Sequence, residues 1–383
     1  MLGVRSTAAE PPGTPDGPGG PASARDAVRA VDAELGRFLD AGRHRADSTD
    51  PVFARDVADR VAELVLRGGK RLRAAFVWCG WAAAGGSGDV TPVLRTGAAI
   101  ELVQACALIH DDVMDGSPLR RGAPSVHAGL ARAHEAARMT GSPETFGAFG
   151  AVLAGDLALA WADDLLMETA IGSPYGHRLA VEWRAMREEM VAGQYRDLHA
   201  QATGARELDD ALTVATLKSA LYTVERPLAL GAALAGADGP VVAALRAAGR
   251  CAGLAFQLRD DLLGTFGDPA LTGKPADDDL RSGKLTCLLA VGAGLAGASG
   301  DRESAAALAP APAGPSDAAV RRARAALERT GARTVVESTI HELASAALRH
   351  FDLIGADPLV RREFAALVER AAGVGSRAAG EAA

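Results

Sequence analysis

An all-α fold follows from three observations on this chain. Apolar residues recur at intervals of three and four along most of its length, stretches that alternate apolar and polar residues are absent, and the composition is rich in Ala and Leu but only 4% aromatic. Small aliphatic side chains suit closely packed helices, whereas a β-rich core draws on branched and aromatic ones. Hydrophobic residues make up 48% of the 383, enough to bury a large core. The net charge of −7 argues against a general nucleic-acid binder. Cys79, Cys106, Cys251 and Cys287 stand far apart in apolar settings with no CxxC or Cys/His pattern, so reduced core thiols and a cytoplasmic location are expected. No basic start followed by an apolar run marks a signal peptide. No apolar stretch of spanning length is free of charges and glycines, so no membrane span is expected.

Residues 1–24 are rich in Pro, Gly, Ala and Thr, cannot bury a core, and read as a disordered tail. Residues 25–372 read as one domain, because no linker divides them. Val28, Val31, Leu35 and Phe38 set a first helix over 25–39, and a second over 52–66 ends at Gly68-Gly69, which permit a left-handed helix end. Lys70, Arg71 and Arg73 then open an apolar helix over 74–84. Cations at a helix N-terminus oppose the helix dipole, so the cluster suits an anionic, phosphorylated ligand better than an ordinary helix start.

The next helix, 96–115, runs through the apolar stretch 98–108 into Asp111-Asp112-Val113-Met114-Asp115, followed by Arg120 and Arg121. Asp111 and Asp115 are spaced i and i+4 and share a helix face, with Asp112 beside them. Carboxylates this close repel unless a cation screens them, and hard oxygen ligands suit Mg²⁺ completed by substrate phosphate. A solvated acidic turn is the plainer alternative, but an apolar helix leading into it argues for a site. Helical spacing continues over 147–171, 178–193, 211–235, 240–263 and 286–296. A small-residue, Pro/Ala-rich stretch, 297–315, reads as a loop insertion. Helices over 317–329, 335–351 and 358–371 follow, and 373–383 reads as a frayed end.

A second acidic site closes the 240–263 helix: Gln257, Asp260 and Asp261 can share a face, with Gly264 after them. Downstream lie Asp268, Lys274, the run Asp277-Asp278-Asp279, and Lys284. Two apolar helices that each end in an aspartate pair beside lysines or arginines can hold Mg²⁺ and grip a diphosphate, whose departure develops charge that fixed cations stabilise.

With these motifs the chain resembles the trans-isoprenyl diphosphate synthases, or polyprenyl synthetases, over about residues 25–372. Trp161, Asp163 and Asp164 look like its actinobacterial geranylgeranyl diphosphate synthases. The resemblance implies a single-domain barrel of antiparallel helices around a central cavity. It implies a Mg²⁺-dependent condensation of isopentenyl diphosphate with allylic diphosphates (dimethylallyl, geranyl, farnesyl), and a homodimer. By this likeness Asp111, Asp115, Asp260 and Asp261 are metal ligands, with Asp112 alongside. Lys70, Arg73, Gln104 and Arg121 match isopentenyl-binding positions. Arg120, Lys218, Ser219, Gln257, Lys274 and Lys284 match positions around the allylic diphosphate, Lys218 also being a catalytic candidate. Two positions depart from the pattern: Gly264 replaces the usual last Asp of the second motif, and Gln104 stands where many relatives have His.

Fifteen-carbon enzymes of the family tend to carry an aromatic residue four or five positions before the first motif. Here these are Ala107 and Cys106, with Val103 eight positions before, so a twenty-carbon product is expected, with Trp161 as a candidate cavity floor. Farnesyl or longer-chain products are the nearest alternatives. A terpene cyclase would carry an NxxxSxxxE motif instead of Asp260-Asp261 and would need no isopentenyl site. A non-catalytic partner subunit would be expected to lose its motifs, and both aspartate pairs persist.

Overall fold

The computed structural model describes residues 20–267, 277–309 and 315–374, the side chain of Asp278 excepted. The fold is all-α. In chain order its helices are α1 (Ala24–Thr49), α2 (51–66), α3 (Leu72–Ala83), α4 (Thr91–Met114), α5 (Val126–Ala136), α6 (Pro143–Ile171), α7 (Gly176–Thr203), α8 (208–234), α9 (Gly239–Phe266), α10 (Asp278–Ser282), α11 (Cys287–Ser299), α12 (Arg302–Ala307), α13 (Asp317–Arg329), α14 (Ala332–Asp352) and α15 (Pro358–Ala372). Two helices are wound more loosely in part, as π-helix, over Ala54–Ala58 in α2 and Ala215–Glu225 in α8.

The bundle is organised by α3 and α4, which are buried nearly all round, as a helix apolar on every face must be. One face of α3 (Val77, Trp78, Trp81) joins a core with Leu35 and Leu39 of α1, Ile100 and Leu102 of α4, and Leu165 of α6. Its other face (Phe76, Cys79) joins a second core with Leu228 of α8, Leu258 of α9, Phe351 of α14 and Phe364 of α15. In that second core Phe351 and Phe364 stack with centroids 4.1 Å apart. Helix α3 is therefore the wall between the cores; α4 lies in the first core, with the first acidic motif at its C-terminal end.

Several elements differ from the sequence reading. A two-residue antiparallel pair, Leu119–Arg120 with Ala123–Pro124, turns the chain after α4 where no strand was expected. Helix α5 was not anticipated because only Val126, Leu130 and His134 of its eleven residues are buried. Within the expected loop 297–315 lies α12, whose N-terminus is capped by Asp301 accepting from Ser304 N–H at 3.0 Å; residues 310–314 lie outside the described residues. Most of the tail 1–24, all but residues 20–24, is likewise outside them, and α1 starts at Ala24 behind an N-cap from Ser23.

By length and composition alone α4, α6 and α9 could cross a membrane, although each carries charges and glycines. Here they are bundle helices: two-thirds of the most apolar window of α4 is buried inside the protein, and α4 and α9 end in aspartate pairs.

Candidate active site

Along α4 and its end, Gln104, Ala107, Asp111 and Asp115 form a partly open face, as i, i+3, i+7, i+11 spacing dictates. Lys218, from the π-wound part of α8, bridges Asp111 Oδ1 at 3.1 Å and Asp197 Oδ2 of α7 at 2.6 Å. Lys284, just before α11, reaches Asp115 Oδ2 at 2.6 Å. Burial works to raise the Asp111 carboxyl, but Lys218, Lys284 and Arg120 outweigh it and hold it below the ordinary aspartate range. The same carboxylates overcome burial at Lys284 and raise its ammonium above the ordinary lysine value. Asp112 points elsewhere: it is 1% exposed and accepts from Arg120 Nε at 2.9 Å.

The second acidic pair divides in the same way. Asp260 is exposed, whereas Asp261 is buried, accepting from Gln257 Nε2 at 2.8 Å and from Cys287 N–H at 3.0 Å. The expectation that Asp261 faces a metal beside Asp260 is therefore revised: its Oδ2 ties α9 to the start of α11, and its Oδ1 is taken by Gln257 one turn earlier on α9. Gln257, expected at the diphosphate, is engaged in the same contact. The Asp261 carboxyl is pushed up to about 7, first by burial and then by the charges of Asp279 and Asp260. Lys274 and Asp268 lie outside the described residues.

The basic cluster after Gly68-Gly69 also resolves into distinct roles. Arg71, in a left-handed conformation at φ 47°, turns inward to Glu101 Oε2 at 2.9 Å, Asp32 Oδ1 at 2.8 Å and the Val65 carbonyl at 2.8 Å. It is structural, and Lys70 and Arg73 remain. Lys70 is exposed with no ion pair to a described residue, and Arg73 lies 4.3 Å over the Tyr222 ring while donating to Thr223 Oγ1 at 2.9 Å. Arg121 donates to the Gly68 carbonyl and crosses above Gly69, where a Cβ would come within 2.9 Å of its Nη2. Burial, and then the nearby Arg71, lower its guanidinium value, with Arg120 and Arg73 adding to the fall. Mutually repelling arginines favour an anion between them. Arg73 Nε, Gln104 Oε1 and Tyr222 OH are buried without a hydrogen-bond partner. Such groups are costly unless a ligand satisfies them.

Two glycine contacts set this geometry. Gly193 lies inside α7, where a Cβ would overlap the Lys218 backbone nitrogen, so α8 approaches closely enough for Lys218 to reach both aspartates. The sequence reading took Gly193 as a helix end and so missed Asp197, one turn beyond it. Tyr222 and Thr223 were missed as well, since nothing local marks them. Ser219 is part-buried beside Lys218. Val103 and Cys106 are 0% and 3% exposed, and Trp161 packs over Gly42 of α1, so only Ala107 of the chain-length candidates on α4 lies on the open face.

Among the described residues, no three acidic, imidazole or thiol groups converge closely enough to hold a cation unaided. Asp111 and Asp115, with Asp260 on the other helix, still fit Mg²⁺. That ion takes one or two carboxylates and completes its shell with water and phosphate oxygens.

A family model described as polyprenyl synthetase matches residues 55–312. The chain belongs to the polyprenyl synthetase family. This prenyltransferase is 37% identical over 310 residues to the geranylgeranyl diphosphate synthase of Mycobacterium tuberculosis, covering 77% of this chain and 80% of that one. It is 38% identical over 219 residues to a (2E,6E)-farnesyl diphosphate synthase of Mycobacterium bovis, covering 57% and 55%. Among solved structures, a geranylgeranyl pyrophosphate synthase from Corynebacterium glutamicum, complexed with isoprenyl diphosphate and magnesium, superposes with a TM-score of 0.84 at 38% identity. The match covers 90% of the prenyltransferase and 98% of that chain.

Proposed function

We propose that this prenyltransferase is a Mg²⁺-dependent geranylgeranyl diphosphate synthase of the cytoplasm. It joins isopentenyl diphosphate to dimethylallyl, geranyl or farnesyl diphosphate and releases mainly a twenty-carbon product. The carrying observation is the short segment 284–287, which ties the two acidic motifs together through Lys284–Asp115 and Cys287–Asp261.

Asp111, Asp115 and Asp260 would hold the metal, which when bound neutralises charge on the departing diphosphate. Lys218, Lys284, Arg120 and Lys274 grip the allylic diphosphate; Lys218 and Lys284 exchange carboxylate oxygens for phosphate oxygens as substrate arrives. Lys70, Arg73, Gln104 and Arg121 hold isopentenyl diphosphate, satisfying the orphaned Arg73 Nε. The allylic C–O bond breaks, and its electron pair leaves with diphosphate. The isopentenyl double bond then attacks the allylic carbon, and the proton lost from the isopentenyl unit passes to the departing diphosphate. Apolar side chains around Ala107 keep water from the cation.

A homodimer is part of the proposal. Phe149 (68% exposed), Leu153, Met167 and Ile171 (81%) form an exposed stripe on α6. Phe149 and Ile171 stand eleven residues either side of Ala160, and Leu153 and Met167 seven. A second copy related by a two-fold axis at Ala160 therefore meets apolar side chains with apolar side chains, while Asp156 and Asp164 fall on opposite sides of the seam.

The test is incubation with isopentenyl diphosphate and each allylic primer, reading product chain length. Asp111→Asn should lower turnover by about 10²–10³-fold at limiting Mg²⁺. A cyclised hydrocarbon made without isopentenyl diphosphate would overturn the proposal in favour of a terpene cyclase.

A further inference from the structure

A cavity of about 530 Å³ lies between α10–α11 and α12–α13, beside the 204–207 turn that joins α7 to α8. Small-molecule sites typically enclose roughly 300–1,000 Å³, so this one is large enough for a ligand. None of the aspartates or lysines assigned to the active site lines it. On α10, Asp279 lies against Gly264 of α9, whereas the next residue, Leu280, lines the cavity. Helix α10 therefore stands between the cavity and the second acidic site.

The lining has two characters. Leu280, Leu289, Leu308 and Val320 are buried and give it an apolar floor. Three arginines, Arg206, Arg322 and Arg329, and one carboxylate, Glu303, supply its charge. Arg329 is already neutralised, by Glu303 and Asp301, each at 3.4 Å. Arg322 is exposed and makes no ion pair with a described residue. Arg206 is the unusual member. Gly204, at φ 67°, ends α7 and turns the chain so that Arg206 reaches the cavity wall. Its Nε is buried without a hydrogen-bond partner. Burial lowers its guanidinium value, and no carboxylate raises it back. A guanidinium taken from water in this way is costly until an anion meets it.

We propose that this cavity is a second ligand site, for an amphiphilic anion: a phosphate or carboxylate head on Arg206, with Arg322 at the mouth, and a hydrocarbon chain against the leucine floor. Both halves of the ligand are needed. A bare anion leaves the apolar floor uncovered, and a neutral apolar molecule leaves Arg206 unpaired. The inference is independent of the proposed condensation, because no residue assigned to substrate or metal takes part. A free single-chain phosphate and a phospholipid headgroup share this chemistry, and the test has an arm for each.

The first arm titrates dodecyl phosphate, below its micelle concentration, into the full chain by calorimetry. Mg²⁺, isopentenyl diphosphate and unreactive geranyl S-thiolodiphosphate are present throughout to fill the active site. Arg206→Met keeps an apolar stem and removes the charge, and should weaken binding by about tenfold or more without lowering the melting temperature. Ala319→Phe, at a half-buried position on the cavity wall, should weaken it comparably by filling the space. Arg321→Met, on the same helix but outside the lining, should stay within about twofold. Inorganic phosphate should bind at least about a hundredfold more weakly than dodecyl phosphate, since each buried methylene multiplies affinity about fourfold. The second arm sediments the same proteins with phosphatidylcholine vesicles containing phosphatidate. Binding that depends on Arg206 and Ala319 in either arm supports the site and names its source. No binding in either arm, binding that Arg206→Met and Ala319→Phe leave unchanged, or inorganic phosphate matching dodecyl phosphate overturns the inference.

Discussion

Lys284 Nζ lies 2.6 Å from Asp115 Oδ2, joining residues 169 positions apart, and three residues later the Cys287 N–H donates to Asp261. One short segment thereby fixes the distance between the two acidic helices. Its anchor at Asp261 is a backbone hydrogen bond.

The two members of the second aspartate pair should therefore respond differently. Asp260→Asn should lower kcat by about 10²–10³-fold, as loss of a group acting on developing charge does. Asp261→Asn keeps an acceptor for the Cys287 N–H, so its kcat should fall about tenfold at most, with the larger change in allylic KM as Lys284 loosens. Equal losses in kcat at saturating Mg²⁺ would return Asp261 to the metal.

Lys218 is the counter-ion of buried Asp197, which is only 4% exposed. Lys218→Met should cost about 3 kcal/mol, because it strands a buried carboxylate. Adding Asp197→Asn should recover more than half of that. Guanidinium denaturation of the four proteins measures the coupling, and strictly additive losses would mean the two side chains do not interact.

Gly193→Ala places a methyl against the Lys218 backbone and should cost about 1–3 kcal/mol, with a fall in kcat as Lys218 moves. Gly36→Ala, in mid-helix with nothing within 4 Å of the new methyl, should instead gain about 0.5–1 kcal/mol. Thermal or denaturant midpoints in opposite directions from wild type are the expected result. Matching shifts would show that the close approach of α7 and α8 carries no weight.

Product length should depend on Ala107 more than on Cys106. Ala107→Tyr projects into the open face below Asp111 and should move product from twenty towards fifteen carbons. Cys106 is packed, with its Sγ 3.7 Å from His110 Nδ1, so Cys106→Phe should cost about 1–3 kcal/mol in stability before it alters length. Chromatography of dephosphorylated products decides this. An unchanged twenty-carbon product from Ala107→Tyr would place the growing chain along another wall.

The helical fold was legible because its signal is local. Apolar spacing marked all the long helices, and the i, i+4 spacing of Asp111 and Asp115 placed them on one face before any packing was known. The errors arose where a local signal has two meanings. Glycine reads as a helix stop, and at Gly193 it is instead the contact point of two helices, so α7 continued and brought Asp197 into the site. Alanine and proline between 297 and 315 read as loop, yet a capping Asp301 with alanines behind it is enough for one more turn of helix.

By itself the sequence determined the fold class, the residue types of the site and the family whose motifs they match, since helix period and side-chain chemistry need no distant partner. Only the tertiary structure decided which charges remain for a substrate. Arg71 looked like Lys70 and Arg73 in sequence, but Glu101 and Asp32, 30 and 39 residues away, neutralise it. Asp261 looked like Asp260, but a backbone N–H from α11 and the Gln257 amide satisfy it. In each case a charged group is stable where it finds a partner or water. Which of these it finds depends on the elements that packing brings together, not on its neighbours in the chain.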